Sequence, residues 1–288
     1  MEGRRRALTL LLCLVVPLVA WGGEPLTWLV RDLPPLTIES GPRVGQGAVD
    51  RVLPLLMQAL PDHDHSVVRV NRARALQMLQ EPALSCDPEL LWTPDRSQAA
   101  VYSIPMFATL TNGLIIRHQD RHGFNSFMRH GALDLPALLA SPNIKVGRVA
   151  ERSYGGAIDT MLAAAPPAAI NAHHGDDAVA SLLQMQQRGR LDGVLGYWPE
   201  VLYLAPQQRI AGQDLEFLPV LGVPRYQNVY VACSNTAQGR AVIRRLNERL
   251  ATLRITTLPG YYAEWLDPAS RQDYLRDARR FFTDPATR

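Results

Sequence analysis

After Arg4, Arg5 and Arg6, this 288-residue chain has no cluster of basic residues, although it contains 30 lysines and arginines. Nucleic-acid phosphates demand clustered positive charge, so a nucleic-acid partner is excluded. Lysine itself is nearly missing, Lys145 being the single one. Cysteine is scarce, with three residues, and none has the Cys-x-x-Cys spacing of a redox site. There is no Gly-x-Ser-x-Gly elbow, no phosphate loop and no His-Glu-x-x-His helix, which removes the usual local signatures of hydrolases, nucleotide enzymes and zinc proteases. Nor is there a tandem repeat, a low-complexity tract, or an apolar run after residue 20 long enough to span a bilayer.

What is present begins with an export signal. Arg4 to Arg6 precede the apolar run from Ala7 to Ala20, and Ala20-Trp21-Gly22 offers small residues around a cleavage point. Residues 1–22 are therefore expected to be a signal peptide cut after Gly22, which places the mature chain in the periplasm. Leu12 stands where a small residue should precede a lipidated Cys13, so lipidation is not expected. The remaining 266 of the 288 residues are near neutral in charge and suffice for two modest domains. Cys86 and Cys233 survive processing, and an oxidising compartment predicts a disulfide between them; the alternative is two separate buried thiols.

Strand and helix patterns alternate along the chain. Leu26 to Arg31 predicts a strand ended by Pro34-Pro35, and Val49, Val52, Leu53, Leu56, Met57 and Leu60 have helical spacing, with Pro54 expected to bend that helix. Ser66 to Val70 predicts a strand, and Asn71 a cap for a helix through Leu79. Further strands are expected at Leu90 to Thr93, Gly113 to Arg117, Ile144 to Gly147, Gly193 to Trp198 and Asn228 to Cys233. Ile158, Met161 and Leu162 mark one helix; Val179, Leu182 and Leu183, behind an Asp176 cap, mark another. A long helix carries Val242, Ile243, Leu246, Leu250 and Leu253. This alternation implies an α/β chain with mostly parallel sheets flanked by helices.

Several short motifs occur in a telling order. Pro34-Pro35-Leu36 precedes Gly47-Ala48-Val49-Asp50; Thr93-Pro94-Asp95-Arg96 is followed by Tyr102-Ser103-Ile104-Pro105; then come Gly113 to Ile116, Lys145-Val146-Gly147 and Gly189-Arg190-Leu191-Asp192. Together they resemble the family 3 extracellular solute-binding proteins, the periplasmic amino-acid-binding components of transporters, over nearly the whole mature chain. The resemblance implies the type II periplasmic-binding-protein fold. Residues 23–112 and 226–288 would form lobe one, residues 113–225 lobe two, and two hinge strands would join them. A small ligand would be clamped in the cleft by hinge closure, for uptake through an ABC permease.

The same resemblance gives Arg96, the arginine of the Thr-x-x-Arg motif, the role of holding a ligand carboxylate, and a guanidinium fork matches two carboxylate oxygens. Arg31 and Asp32, at the C-terminal end of the first strand, sit where open α/β sheets place ligand contacts. Arg152 and Ser153, in the loop from Glu151 to Tyr154 that enters a helix, form either an anion site or a plain helix cap. Trp92 and Tyr197 are aromatic candidates for the cleft wall. Tyr197 stands where the family carries an acid for the α-ammonium, and a buried amine without a carboxylate is costly. The expected ligand is therefore a small carboxylate or other anion, not an ordinary α-amino acid.

Asp62-His63-Asp64-His65 and His173-His174 with Asp176-Asp177 have metal-ligand chemistry, but the first is read as a solvated loop and the second as a loop and an acidic helix start; no metal and no cofactor is expected. A monomeric binding protein without enzymatic activity is the expectation. Two rivals stand beside uptake: a ligand-sensing partner of a membrane receptor or signalling enzyme, and a small-carboxylate lyase or dehydratase on the same fold. The latter needs a cleft acid or base of shifted pKa, and none is legible in the sequence.

Overall fold

The computed structural model describes residues 23–175 and 177–283; the expected signal peptide, its cleavage point, Cys13 and the Asp176 cap lie outside them. The chain opens with β1 (Glu24–Val30), α1 (Ala48–Gln58), β2 (His63–Arg69), α2 (Arg72–Met78), β3 (Ser85–Leu90), α3 (Pro94–Ala99), β4 (Ala100–Tyr102) and β5 (Phe107–Leu110). After Thr111 and Asn112, β6 (Gly113–Arg117) starts a second set with the hairpin β7 (Met128–Arg129) and β8 (Ala132–Leu133), then α4 (Leu135–Leu139), β9 (Val146–Val149), α5 (Gly156–Ala163) and β10 (Ile170–His173). It continues through α6 (Ala178–Gln187), β11 (Gly193–Gly196), α7 (Trp198–Leu204) and β12 (Leu215–Pro219). β13 (Tyr226–Ser234) then returns to the first set, followed by α8 (Ala237–Thr256), α9 (Leu258–Ala263) and α10 (Pro268–Thr283).

Two sheets result, one per lobe. The first has the order β2-β1-β3-β13-β4, with β5 also paired to β13; the second runs β10-β9-β11-β6-β12. β1 is parallel to both neighbours, while β13 runs antiparallel to β3, β4 and β5. In the second sheet β9 is parallel to β10 and β11, and β6 is antiparallel to β11 and β12.

Each sheet is covered on both faces, as parallel strands require. On one side of the first, Trp28, Leu56, Phe107, Leu246, Tyr262 and Phe282 share a core; on the other, Leu29, Leu79, Leu90 and Ala232 share a smaller one. Successive residues of β6 split the second lobe in the same way. Leu114 and Ile116 pack with Leu138 and Tyr154, whereas Ile115 faces Leu182, Val194 and Val201.

The expected disulfide is present: Cys86 of β3 and Cys233 of β13 are joined at an S–S distance of 2.02 Å. Three local expectations are corrected. The third strand lies at Ser85–Leu90 and not at Leu90 to Thr93, because Asp87 and Glu89 are buried polar residues that break the apolar pattern. Asp62 to His65 is no loop: His63 to His65 pair with β1 as the start of β2. Trp198 opens α7 instead of ending a strand. The expected helix at Val49 to Leu60 is α1, with Pro54 inside it and Val49, Val52, Leu53 and Leu56 packed on the core.

Candidate functional site: the interlobe cleft

A cleft of about 540 Å³ opens between the lobes. That is the size of a metabolite pocket. Lobe one supplies Arg31 and Asp32 from the end of β1, Arg69 from the end of β2, and Asn71, Arg72 and Ala73 from the start of α2. Lobe two supplies Val149 to Arg152 after β9, residues 174, 175 and 177–180 leading into α6, and Glu200 and Leu204 of α7. The C-terminal ends of β1, β2 and β9 thus converge on one space, as ligand sites in open α/β sheets do.

Three of the residues expected from the sequence line this cleft: Arg31, Asp32 and Arg152. Arg31 is buried and already engaged. Its Nη1 lies 2.6 Å from Asp87 Oδ2, its Nη2 donates to Asp87 Oδ1 at 3.3 Å, and its Nε is 3.7 Å from Glu89 Oε1. Burial pushes Glu89 up to about 8 against the pull of Arg31, and Thr37 Oγ1 donates to its Oε2 at 2.8 Å. Arg152 is clamped in the same fashion, with Nη1 and Nη2 donating to the Glu200 carboxylate at 2.6 and 2.8 Å. Burial alone would lower the pKa of Arg152; Glu200 more than reverses that. Asp32 is half-buried, accepts the Glu39 N–H at 3.0 Å, and is raised by burial and then by the nearby Glu200 and Asp50.

Arg96, Trp92, Ser153 and Tyr197 do not line the cleft. Thr93 caps α3 through the Arg96 N–H, and the Arg96 guanidinium donates to Leu91 O at 3.3 Å and to Glu151 O at 3.2 Å. The second bond crosses from lobe one to lobe two. Trp92 is 50% exposed. Ser153 donates to the Asp159 carboxylate, which also receives the Tyr154 N–H at 2.7 Å. The chain's own carboxylate therefore fills the place where an external anion at this helix start was one of two expectations. Tyr197 lies beneath Arg152, whose guanidinium is 5.7 Å from its ring centre.

Sequence reasoning missed Asp87, Glu89, Glu200, Arg69 and Arg72. Arg69 pairs with Glu39 at 3.4 Å. The guanidinium of Arg72, one residue after the Asn71 cap, makes no hydrogen bond or ion pair with any described residue. Burial first, then the guanidinium groups of Arg31, Arg152 and Arg96, push its pKa down to about 9. It remains a cation at neutral pH. The lobes also meet at Tyr203 of α7, whose hydroxyl reaches Ser40 O at 3.4 Å and whose ring stands edge-on to Trp265.

No family model matches the chain, and no curated protein does. Solved structures do. An ancestral amino-acid-binding protein, described as a precursor of cyclohexadienyl dehydratase, is similar with TM-score 0.61 at 14% identity, over 85% of this chain and 96% of the other. A histidine kinase sensor domain with similarity to periplasmic binding proteins aligns with TM-score 0.65 at 14% identity, covering 85% and 97%. A Streptococcus pneumoniae amino-acid ABC transporter substrate-binding protein, bound to L-arginine, gives TM-score 0.59 at 14% identity over 91% and 97%. With its two sheets in two lobes and a cleft between them, the chain has the type II periplasmic-binding-protein fold shared by these amino-acid-binding structures.

Proposed function

We propose that this chain is a periplasmic solute-binding protein that captures a small carboxylate-bearing solute between its lobes and delivers it to an ABC permease. The observation that carries this reading is the 540 Å³ cleft walled by both lobes at the ends of β1, β2 and β9. The lobes are residues 23–112 with 226–288, and 113–225. Thr111-Asn112 and the segment before β13 are the two hinge crossings, and residues 1–22 are the export signal. Binding without turnover is the expected activity. Asp32 is an acid on the cleft wall with a raised pKa, the kind of group a lyase on this fold would need, so every solute that binds is to be followed by NMR for conversion. Any product formation overturns the non-enzymatic reading. The similarity to a histidine kinase sensor domain supports a second reading, in which the loaded protein docks on a membrane sensor. Co-purification with permease or with sensor kinase, from membranes of the native host, distinguishes the two.

The direct test is thermal denaturation of the mature protein against a panel of small metabolites, with small-angle X-ray scattering on each hit. A solute that raises Tm and leaves a compact, closed scattering profile supports interlobe binding. Stabilisation of a fragment of lobe one alone, by the same solute at the same affinity, removes the cleft from the function.

A further inference from the structure

Resting on that reading, we propose that Arg72 is the anchor for the ligand's carboxylate, a role that the sequence motif gives to Arg96. The other three guanidinium groups that line the cleft are taken, and so is Arg96 beside it. Arg31 is held by Asp87 and Glu89, Arg152 by Glu200 and Arg69 by Glu39, while Arg96 is spent on two backbone carbonyls. Arg72 lines the same space with no hydrogen bond or ion pair from its guanidinium to any described residue. A half-buried guanidinium without a partner is a cost to the folded protein, and the charge of Arg31, Arg96 and Arg152 around it adds to that cost. A carboxylate entering the cleft removes the cost and takes up the planar fork of donors.

The placement of Arg72 suits the task. Asn71 caps α2 by accepting the Arg74 N–H at 2.9 Å, which fixes the first turn of the helix and so the origin of the Arg72 side chain. Arg74 sits two residues on and pairs with Glu81 at 2.9 Å on the exposed surface. It provides a matched control: the same helix, the same residue type and an existing partner.

The test uses the mature protein with a charge-matched panel: succinate and glutarate, their neutral diamides, glutamate, putrescine and glucose. Calorimetric affinity is measured for every solute that raises Tm, in wild type, Arg72→Gln, Arg72→Lys and Arg74→Gln. We expect only carboxylate-bearing members to bind. Affinity should fall about tenfold or more in Arg72→Gln, partly recover in Arg72→Lys, and be unchanged in Arg74→Gln. Unliganded Arg72→Gln should melt no lower than wild type, since an unpaired charge has been removed; a structural role would lower it. A carboxylate, diamide or putrescine that binds Arg72→Gln as well as wild type overturns the anchor while leaving solute binding intact. A panel in which nothing of either charge binds, extended to the wider metabolite library without a hit, brings down the solute-binding reading and the anchor with it.

Discussion

The two walls of the cleft are built on one device with opposite remainders. Each lobe buries an arginine at the end of a strand and clamps it with its own acids: Arg31 with Asp87 and Glu89 in lobe one, Arg152 with Glu200 in lobe two. Once those pairs are formed, lobe one is left with the unpaired Arg72, whereas lobe two presents Glu151, which makes no side-chain bond among the described residues. The paired arginines serve stability and orientation; the unpaired groups are what the cleft offers to something outside the chain. Charge near a pocket is therefore a poor guide to ligand contacts until the internal pairs have been subtracted.

The largest expected effect separates the lobes by their covalent support. Among the described residues the disulfide lies in lobe one alone, and it closes a loop of 147 residues, for which chain entropy predicts a loss of about 5 kcal/mol on replacing both cysteines by alanine. Hydrogen exchange should then show lobe-one amides losing protection before those of lobe two. Equal loss in both lobes would mean that they unfold as one unit. Next in size, Arg152→Met leaves Glu200 buried without its partner and should cost roughly 3–5 kcal/mol by urea denaturation, against no loss for Arg72→Gln. Similar costs for the two variants would erase the distinction between paired and unpaired arginines.

A smaller effect concerns acidity. Glu89 is ordinarily near 4.5 and is raised to about 8 in the folded protein, so the folded state holds a proton that the unfolded chain has released across that window. Stability from this group is complete below pH 4.5 and is lost as pH rises toward 8. A fall in Tm between those limits is expected, and Glu89→Gln should flatten it. Smallest of all, Arg96→Gln removes one lobe-to-lobe hydrogen bond, worth about 1 kcal/mol. The unliganded protein should scatter X-rays with a slightly larger radius of gyration, and an unchanged radius would mean that Tyr203 and the hinge hold the lobes together alone.

Much of the architecture was legible because most strands are buried on both faces and punctuated by Pro, Gly or a cap. Gly113–Arg117 was recoverable residue for residue, and Asn71 announces its helix by capping chemistry. β3 was not, since its inward Asp87 and Glu89 make sense only against Arg31, more than 50 residues away in the chain. Local periodicity cannot register a long-range ion pair. Arg31 and Asp32 were placed at the cleft by the general rule about strand ends and Arg152 by the loop that enters a helix, but whether an arginine there is free depends on Asp87, Glu89 and Glu200, which no spacing announces. Arg72 was overlooked because an arginine in the first turn of a short helix reads as solvated surface. The expectation that an amine would meet no acid rested on Tyr197 alone; Asp32, Glu151 and Asp177 on the walls weaken it.

β13 lies between β3 and β4 in the first sheet, yet it is made only after all of β6 to β12. As the chain is made, lobe two is complete in sequence while lobe one still lacks an interior strand and the partner for Cys86. The late half of the polypeptide thus decides when the early half is finished. A truncation just before Tyr226 would leave a whole second sheet attached to a first sheet with an open seam, and such a product exposes unpaired strand edges to aggregation and proteolysis.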